Sequence, residues 1–360
     1  MSKKVLVITN HRKNRSPGQR FRFEQYLDFL EENGFEITIS FLLNEKDDKH
    51  FYNKSFPIIK AIILLKSFIK RYIEAKTYNN YDIIFVYREA FFTGSTIFEK
   101  KIAKSKAKFI FDFDDAIWLH DVSEGNKKWG WLKKPEKTIE IIQLSDMVFA
   151  GNKYLVDFSK KYNSNVVLIP TTIDTNYHIP EIKAKTKNQI CIGWTGSSTT
   201  LKYFENFIPT LEKISTKYPG IINFKVIVDL KKTYPTLNIT TTLWNLEKEI
   251  EDLNKIDIGI MPLPNDKWTK GKCGFKGLQY MSLVIPTIMS PIGVNTEIIN
   301  DGINGFLAST EEEWISKISL LIESVELRNQ IGKAGFETIK NKYSIEANKK
   351  KYLDSFNSLL

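Results

Sequence analysis

Short apolar runs separated by amphipathic stretches recur along the first part of the chain, stop at a proline-bounded polar segment, and begin again. Residues 5–9, 36–41, 82–87, 108–113, 146–150 and 166–169 read as strands. Two of them, 82–87 and 108–113, are almost continuously apolar, as strands covered on both faces of a parallel sheet are. Residues 20–33, with Phe23, Tyr26, Leu27 and Leu30 on one face, read as a helix. Strands that alternate with helices in this way imply an α/β fold with a doubly wound parallel sheet.

The second series has strands at 190–194, 224–229, 257–261 and 287–290, and helices at 203–217, 246–254 and 277–282. Between the two lies Ile169-Pro170-Thr171-Thr172-Ile173-Asp174, reaching to Pro180, a stretch that can join neither sheet. A chain of 360 residues suits two such domains. The organisation expected is a first domain over 1–170, a linker over 171–182, a second domain over 183–342, and a terminal helix over 343–360 that packs back toward the first domain.

No apolar run reaches the roughly 18 residues that a membrane span needs. Met1-Ser2-Lys3-Lys4 leads directly into Val5, which leaves no room for a signal peptide. Cys191 and Cys273 are the only cysteines, so no disulfide framework is expected. The chain therefore reads as cytoplasmic. Its formal charge of +10 raises the question of an anionic partner, for which nucleic acid, phospholipid headgroups and sugar nucleotides all qualify.

The most informative stretch is Lys270-Gly-Lys-Cys-Gly-Phe-Lys-Gly-Leu-Gln-Tyr-Met281. Gly271, Gly274 and Gly277 allow close backbone approach just before a helix that starts near Phe275. Helix-end amides, Lys272 and Lys276 would suit a diphosphate. Standing alone, the same stretch would read as a glycine-rich turn with solvated lysines. In the first half, Asp112, Asp114 and Asp115 end an apolar strand, where carboxylates need partners or a cleft. Arg20 and Arg22 follow Gly18 at what reads as a helix start, where the dipole disfavours cations unless an anion is bound. Two stretches mix basic and apolar residues. Residues 56–72 set Lys60, Lys66, Lys70 and Arg71 on one arc of a helix, and residues 126–137 interleave lysines with Trp129 and Trp131. Each suits an anionic membrane surface, or else a partly buried surface helix or a solvated loop. Neither a nucleic-acid reader motif nor a Gly-x-Gly-x-x-Gly after the first strand is present, and the four histidines show no metal-ligand spacing.

Residues 270–308 resemble the donor-binding region of family-4 GT-B glycosyltransferases, also called glycosyltransferases group 1. Leu278-Gln279-Tyr280-Met281-Ser282 is similar to the family's Leu-Glu-Ala-Met-Ala helix, and Val284-Ile285-Pro286 to its Gly-x-Pro strand entry. Glu297-Ile298-Ile299-Asn300-Asp301-Gly302-Ile303-Asn304-Gly305 follows the family's Glu-Ile-Ile-x-x-Gly-x-Asn-Gly tail. The linker, Ile169-Pro-Thr-Thr-Ile-Asp174, looks like Ile-Pro-Asn-Gly-Ile-Asp. The resemblance implies a GT-B fold, with two Rossmann-like domains facing a central cleft. It also implies a sugar transfer from a nucleotide diphosphate donor, with retention and without metal or further cofactor.

One departure stands out. The family's two glutamates, eight positions apart, fall here on Gly271 and Gln279, so their roles do not carry over. Gln279 still offers an amide to a ribose hydroxyl.

The resemblance suggests donor contacts at Gly196, Ser197 and Lys202 after the first strand of the second domain, and at Asp229 and Trp244 near the base. It also suggests Gly18 and Arg20 in the first domain. With Lys272, Gly274, Phe275 and Gln279 these form the expected donor site, and Asp114, Asp115 and Lys276 the expected catalytic set. The partners expected are the nucleotide-sugar donor, a glycan or lipid-linked acceptor and an anionic membrane surface, with no nucleic acid. The location expected is cytoplasmic, peripheral on the inner face of the cell membrane, in polysaccharide or glycolipid synthesis. Two rival readings stay open: a non-catalytic sugar-nucleotide-binding protein and a GT-B epimerase-like enzyme.

Overall fold

The computed structural model describes residues 2–52, 57–119, 134–181 and 189–360. The chain divides into two compact units. One comprises Met1–Thr171 with Asn348–Leu360, the other Thr172–Ala347. Of the basic stretch 126–137, residues 126–133, with both tryptophans, lie outside the described residues.

The first unit is built on a six-stranded parallel sheet of β1 (Lys3–Thr9), β2 (Phe35–Phe41), β3 (Ile83–Tyr87), β4 (Lys108–Phe113), β5 (Met147–Ala150) and β6 (Val166–Leu168). Their order is β2-β1-β3-β4-β5-β6. The central strands are buried along their length, as their unbroken apolar sequences require. The direction of strand addition reverses between β1 and β3, which opens the loops after these two strands at one edge.

Where one helix over 20–33 is expected, the chain forms a short helix Pro17–Arg22, a turn Glu24–Tyr26 and a second helix Leu27–Glu32. Proline opens the first of these, as its missing amide donor allows. The terminal helix Ile345–Asn357 enters this unit from Asn348 onward. Tyr352 lies flat on Tyr26, with ring centres 4.3 Å apart, and Phe356 meets Phe35, Phe85 and Phe149.

The long helix Pro57–Glu74 is a partly buried surface helix, one of the readings its sequence allows, and its basic arc is divided between an inner and an outer face. Lys60 and Arg71 are buried, with Ile63 and Ser67, on its inner face. Arg71 donates to the Ala90 carbonyl at 3.1 Å and to Ser40 Oγ at 3.0 Å, and pairs with Glu74. A buried guanidinium requires such partners, and spacings of three and four residues put all four side chains on one face.

The second unit has β7 (Ile190–Thr195), β8 (Ile222–Val228), β9 (Ile239–Leu243), β10 (Ile258–Met261), β11 (Thr287–Met289) and β12 (Phe306–Leu307). They form a second parallel sheet of order β12-β11-β10-β7-β8-β9, which reverses between β7 and β10. β9, rich in threonine, and the two-residue β12 are edge strands that the sequence reading does not contain. The helix expected over 203–217 is two, Leu201–Glu205 and Ile208–Lys217, and Pro209 stands in the first turn of the second. The core gathers Ile192, Trp194, Phe224, Val226, Ile258 and Ile288.

Candidate functional site

In the second unit the loop after β7 lies at the point where strand order reverses, the usual place for a ligand in an open parallel sheet. Its shape is set by contacts on every side. Thr195 N donates to the Tyr280 hydroxyl at 2.8 Å, and Gly196 N to the Ile227 carbonyl at 3.0 Å. Glycine at 196 leaves room for this packing, because a Cβ would stand 2.4 Å from Trp194 Cη2 and 2.8 Å from Lys276 Cε. Ser197 Oγ bonds Thr199 Oγ1 at 2.8 Å. Asp229, at the end of β8, accepts from Ser198 N at 2.6 Å and so braces this loop from the neighbouring strand.

The helix Phe275–Ser282 begins at Gly274, whose φ of +70° only glycine adopts freely. A Cβ there would also meet Ile298 Cδ1 at 2.3 Å. In the first turn Lys276 crosses to the β7 loop, its ammonium 5.4 Å from the Trp194 ring centre. Helix-start amides, the Gly196 turn and a lysine ammonium thus meet at the sheet's reversal point, which is chemistry suited to an anion.

Gln279, one turn further on, is buried, while Phe275 and Lys272 are half-buried. The Lys272 ammonium is 5.5 Å from the Trp268 ring centre. Gly271 closes the helix Lys267–Lys270 and offers no side chain. Lys202 is exposed, its ammonium 5.3 Å from the Tyr203 ring centre. Trp244 donates its indole N–H to the buried Glu249 at 3.0 Å and packs on the cluster of Ile227, Leu253 and Tyr280. Its primary contacts are those of a core side chain.

In the first unit, a Cβ on Gly18 would stand 2.1 Å from the Tyr87 hydroxyl and 3.3 Å from Asp114 Oδ2. Glycine at 18 therefore lets the Pro17–Arg22 helix press on the end of β3. Asp114 Oδ1 accepts from Tyr87 at 2.9 Å and from Arg88 Nε and Nη2 at 2.9 and 2.6 Å. The same Nη2 reaches Asp115 at 2.6 Å. Arg88 sits at φ +61°, a strained conformation for a residue with a side chain, and one that clusters at functional sites. Burial, only partly offset by Arg88, keeps the Tyr87 phenol well above its ordinary range and so a donor.

Asp112 faces inward and pairs with Arg22, whose Nε lies 3.3 Å from Asp112 Oδ2 and which also donates to the Ile169 carbonyl. The anion sought for Arg22 is thus an internal carboxylate. Arg20 and Arg22 also lie in the last turn of their short helix, where cations are favoured. Arg20 is buried, with its guanidinium 4.9 Å from the Phe21 ring centre.

The loop after β1 adds residues that sequence reasoning missed. His11 Nε2 lies 3.3 Å from the Tyr52 hydroxyl, and Asp48 takes Arg15 at 2.5 Å and Arg12 at 3.5 Å. Burial lowers the His11 imidazole to about 4, so it is neutral at pH 7. Tyr87 at the end of a buried strand, followed at once by the charged Arg88-Glu89, was the available signal for the Arg88 clamp.

No protein-family model matches the chain, and no curated protein matches it in sequence. Three solved structures match over nearly their whole length. A sucrose-phosphate synthase from Thermosynechococcus elongatus aligns with a TM-score of 0.70 at 11% identity, covering 99% of each chain. A glycosyltransferase from Rickettsia africae aligns at 0.68 and 17%, covering 99% of this chain and 98% of that one. Anabaena HepE, solved with UDP-glucose, aligns at 0.65 and 12%, covering 99% of each chain. The chain therefore has the GT-B fold.

Proposed function

We propose that the chain is a glycosyltransferase of the family-4 kind, moving a sugar from a nucleoside diphosphate onto a glycan or lipid-linked acceptor. The observation that carries this reading is Lys276, held on Trp194 beside Gly196 at the start of the Phe275–Ser282 helix. As the bond from the anomeric carbon to the diphosphate breaks, negative charge grows on the departing phosphate. Lys276 and the helix-start amides would stabilise that charge in place, which is where preorganised sites gain most of their rate. A new bond forms from the anomeric carbon to the acceptor oxygen, and the proton of that hydroxyl passes to an oxygen of the departing diphosphate. Asp114 and Asp115, fixed by Arg88, are suited to orient that hydroxyl. Retention, independence from metal, and a place in polysaccharide or glycolipid synthesis at the inner face of the membrane belong to the same proposal.

Gly271 supports a second reading. The family's first glutamate is absent, so a protein that binds the donor without transferring its sugar is also consistent with the site. Purified protein should be offered UDP-, GDP-, ADP- and TDP-sugars, and both melting temperature and nucleotide release should be followed. UDP comes first because HepE, similar in fold, is solved with UDP and with UDP-glucose. Release that rises with added acceptor supports transfer. Binding without release supports the second reading, and turnover of the sugar nucleotide without acceptor indicates an epimerase-like enzyme. Silence from every sugar nucleotide contradicts all three.

A further inference from the structure

The outer face of the helix Pro57–Glu74 is apolar. Ile58, Ile62, Leu65, Ile69, Tyr72 and Ile73 are each 47% to 73% exposed. Their spacing places them on one stripe, which runs roughly 25 Å along the helix at 1.5 Å per residue. The buried face, with Ile63, Ser67 and Arg71, already anchors the helix to its own unit. A soluble surface gains nothing from six large apolar side chains set in a row.

The rim of this stripe is basic on both sides. Lys66 and Lys70 border one side, Lys66 paired with Asp47 and Lys70 donating to the Phe41 carbonyl. On the other, the ammonium groups of Lys101 and Lys76 lie 5.4 and 6.0 Å from the Tyr72 ring centre. Two flanking carboxylates are neutralised, Asp47 by Lys66 at 2.6 Å and Glu74 by Arg71. Apolar side chains along the middle, a tyrosine at the edge and ammonium groups outside them are the pattern of a helix lying in a lipid interface. Protein interfaces, by contrast, are depleted in lysine. No helix among the described residues is long and apolar enough to cross a membrane.

We propose that the helix Pro57–Glu74 lies in the plane of an anionic membrane surface, with its isoleucine stripe among the acyl chains and Lys76 and Lys101 on lipid phosphates. The proposal rests on this face alone and stands whether or not the chain transfers sugars.

The test is co-sedimentation of the full chain with vesicles of phosphatidylcholine mixed with phosphatidylglycerol, and with phosphatidylcholine alone. The wild type should pellet with the mixed vesicles and much less with the neutral ones. Ile62→Asp, Leu65→Asp and Ile69→Asp together should lower the partition coefficient about a hundredfold or more. Lys76→Gln and Lys101→Gln together should lower it about tenfold, on anionic vesicles only. Both variants should keep the wild-type melting temperature, since the altered side chains face solvent. A wild type that stays in the supernatant overturns the proposal, as does an aspartate variant that binds undiminished. A dimer in sedimentation equilibrium that the aspartate variant dissolves, without vesicle binding, would assign the face to a second copy of the chain instead.

Discussion

Lys276 and Trp194 form one structural piece: the lysine ammonium stands 5.4 Å from the indole ring centre. Gly196 leaves the space that this contact needs. Gly196→Ala should therefore displace Lys276 or tilt Trp194, costing about 1–3 kcal/mol of stability as overpacked sites do. UDP affinity should fall with it, by about tenfold or more. Denaturant unfolding and calorimetric titration of the variant check both. Unchanged affinity would separate the loop from the ligand site.

Arg88 divides its bonds unequally between Asp114 and Asp115. Asp114→Asn should loosen the clamp and cost about 1–3 kcal/mol, because Arg88 and the Tyr87 hydroxyl lose a charged acceptor. Asp115→Asn should cost less than about 1 kcal/mol. It should nonetheless slow transfer to the acceptor while leaving the donor dissociation constant alone. Steady-state kinetics with both substrates varied distinguish the cases, and full turnover in Asp115→Asn would remove this carboxylate from the reaction.

His11 gives the fold an acid limb. Its pKa falls from 6.5 to about 4, first through burial, with Asp48 opposing and Arg15, Arg88 and Arg12 reinforcing the shift. A depressed pKa means that the unfolded chain binds the proton more tightly than the folded chain. Stability is thus complete above about pH 6.5 and drains away as pH falls toward 4, by up to about 3 kcal/mol. His11→Gln should flatten that limb in unfolding titrations at a series of pH values. An identical slope in wild type and variant would contradict the assignment.

Tyr352 stacks on Tyr26, although it comes from the last helix of the chain. Tyr352→Ala should destabilise the first unit by about 3–5 kcal/mol, the range for a large buried aromatic. Hydrogen exchange should quicken in the first unit's strands and stay unchanged in β7 to β12. Equal acceleration in both units would contradict this assignment.

The sheets were legible where burial on both faces leaves its mark, as in Ile83–Tyr87 and Lys108–Phe113. Ile239–Leu243 was not, because an edge strand of threonines has no such signature. Gly196, Gly274 and Lys276 could be singled out from spacing and resemblance, whereas the contact of Gly196 and Lys276 with Trp194 could not, since strand and helix meet only through the fold. Arg88 escaped for a similar reason. Its reach to Asp114 follows from the pairing of Tyr87 with Asp112 across β3 and β4, a register that no local pattern encodes. That Lys60 and Arg71 turn inward while Lys66 and Lys70 stay outside was not legible, because helical spacing groups residues on a face without saying which face the sheet takes.

The most direct test of the account is calorimetric titration of UDP into the wild type and Lys276→Ala. The account predicts saturable binding by the wild type and a loss of about tenfold or more in the variant, with both melting at the same temperature. Equal binding by the two proteins, or none by either with any nucleoside diphosphate, would contradict it.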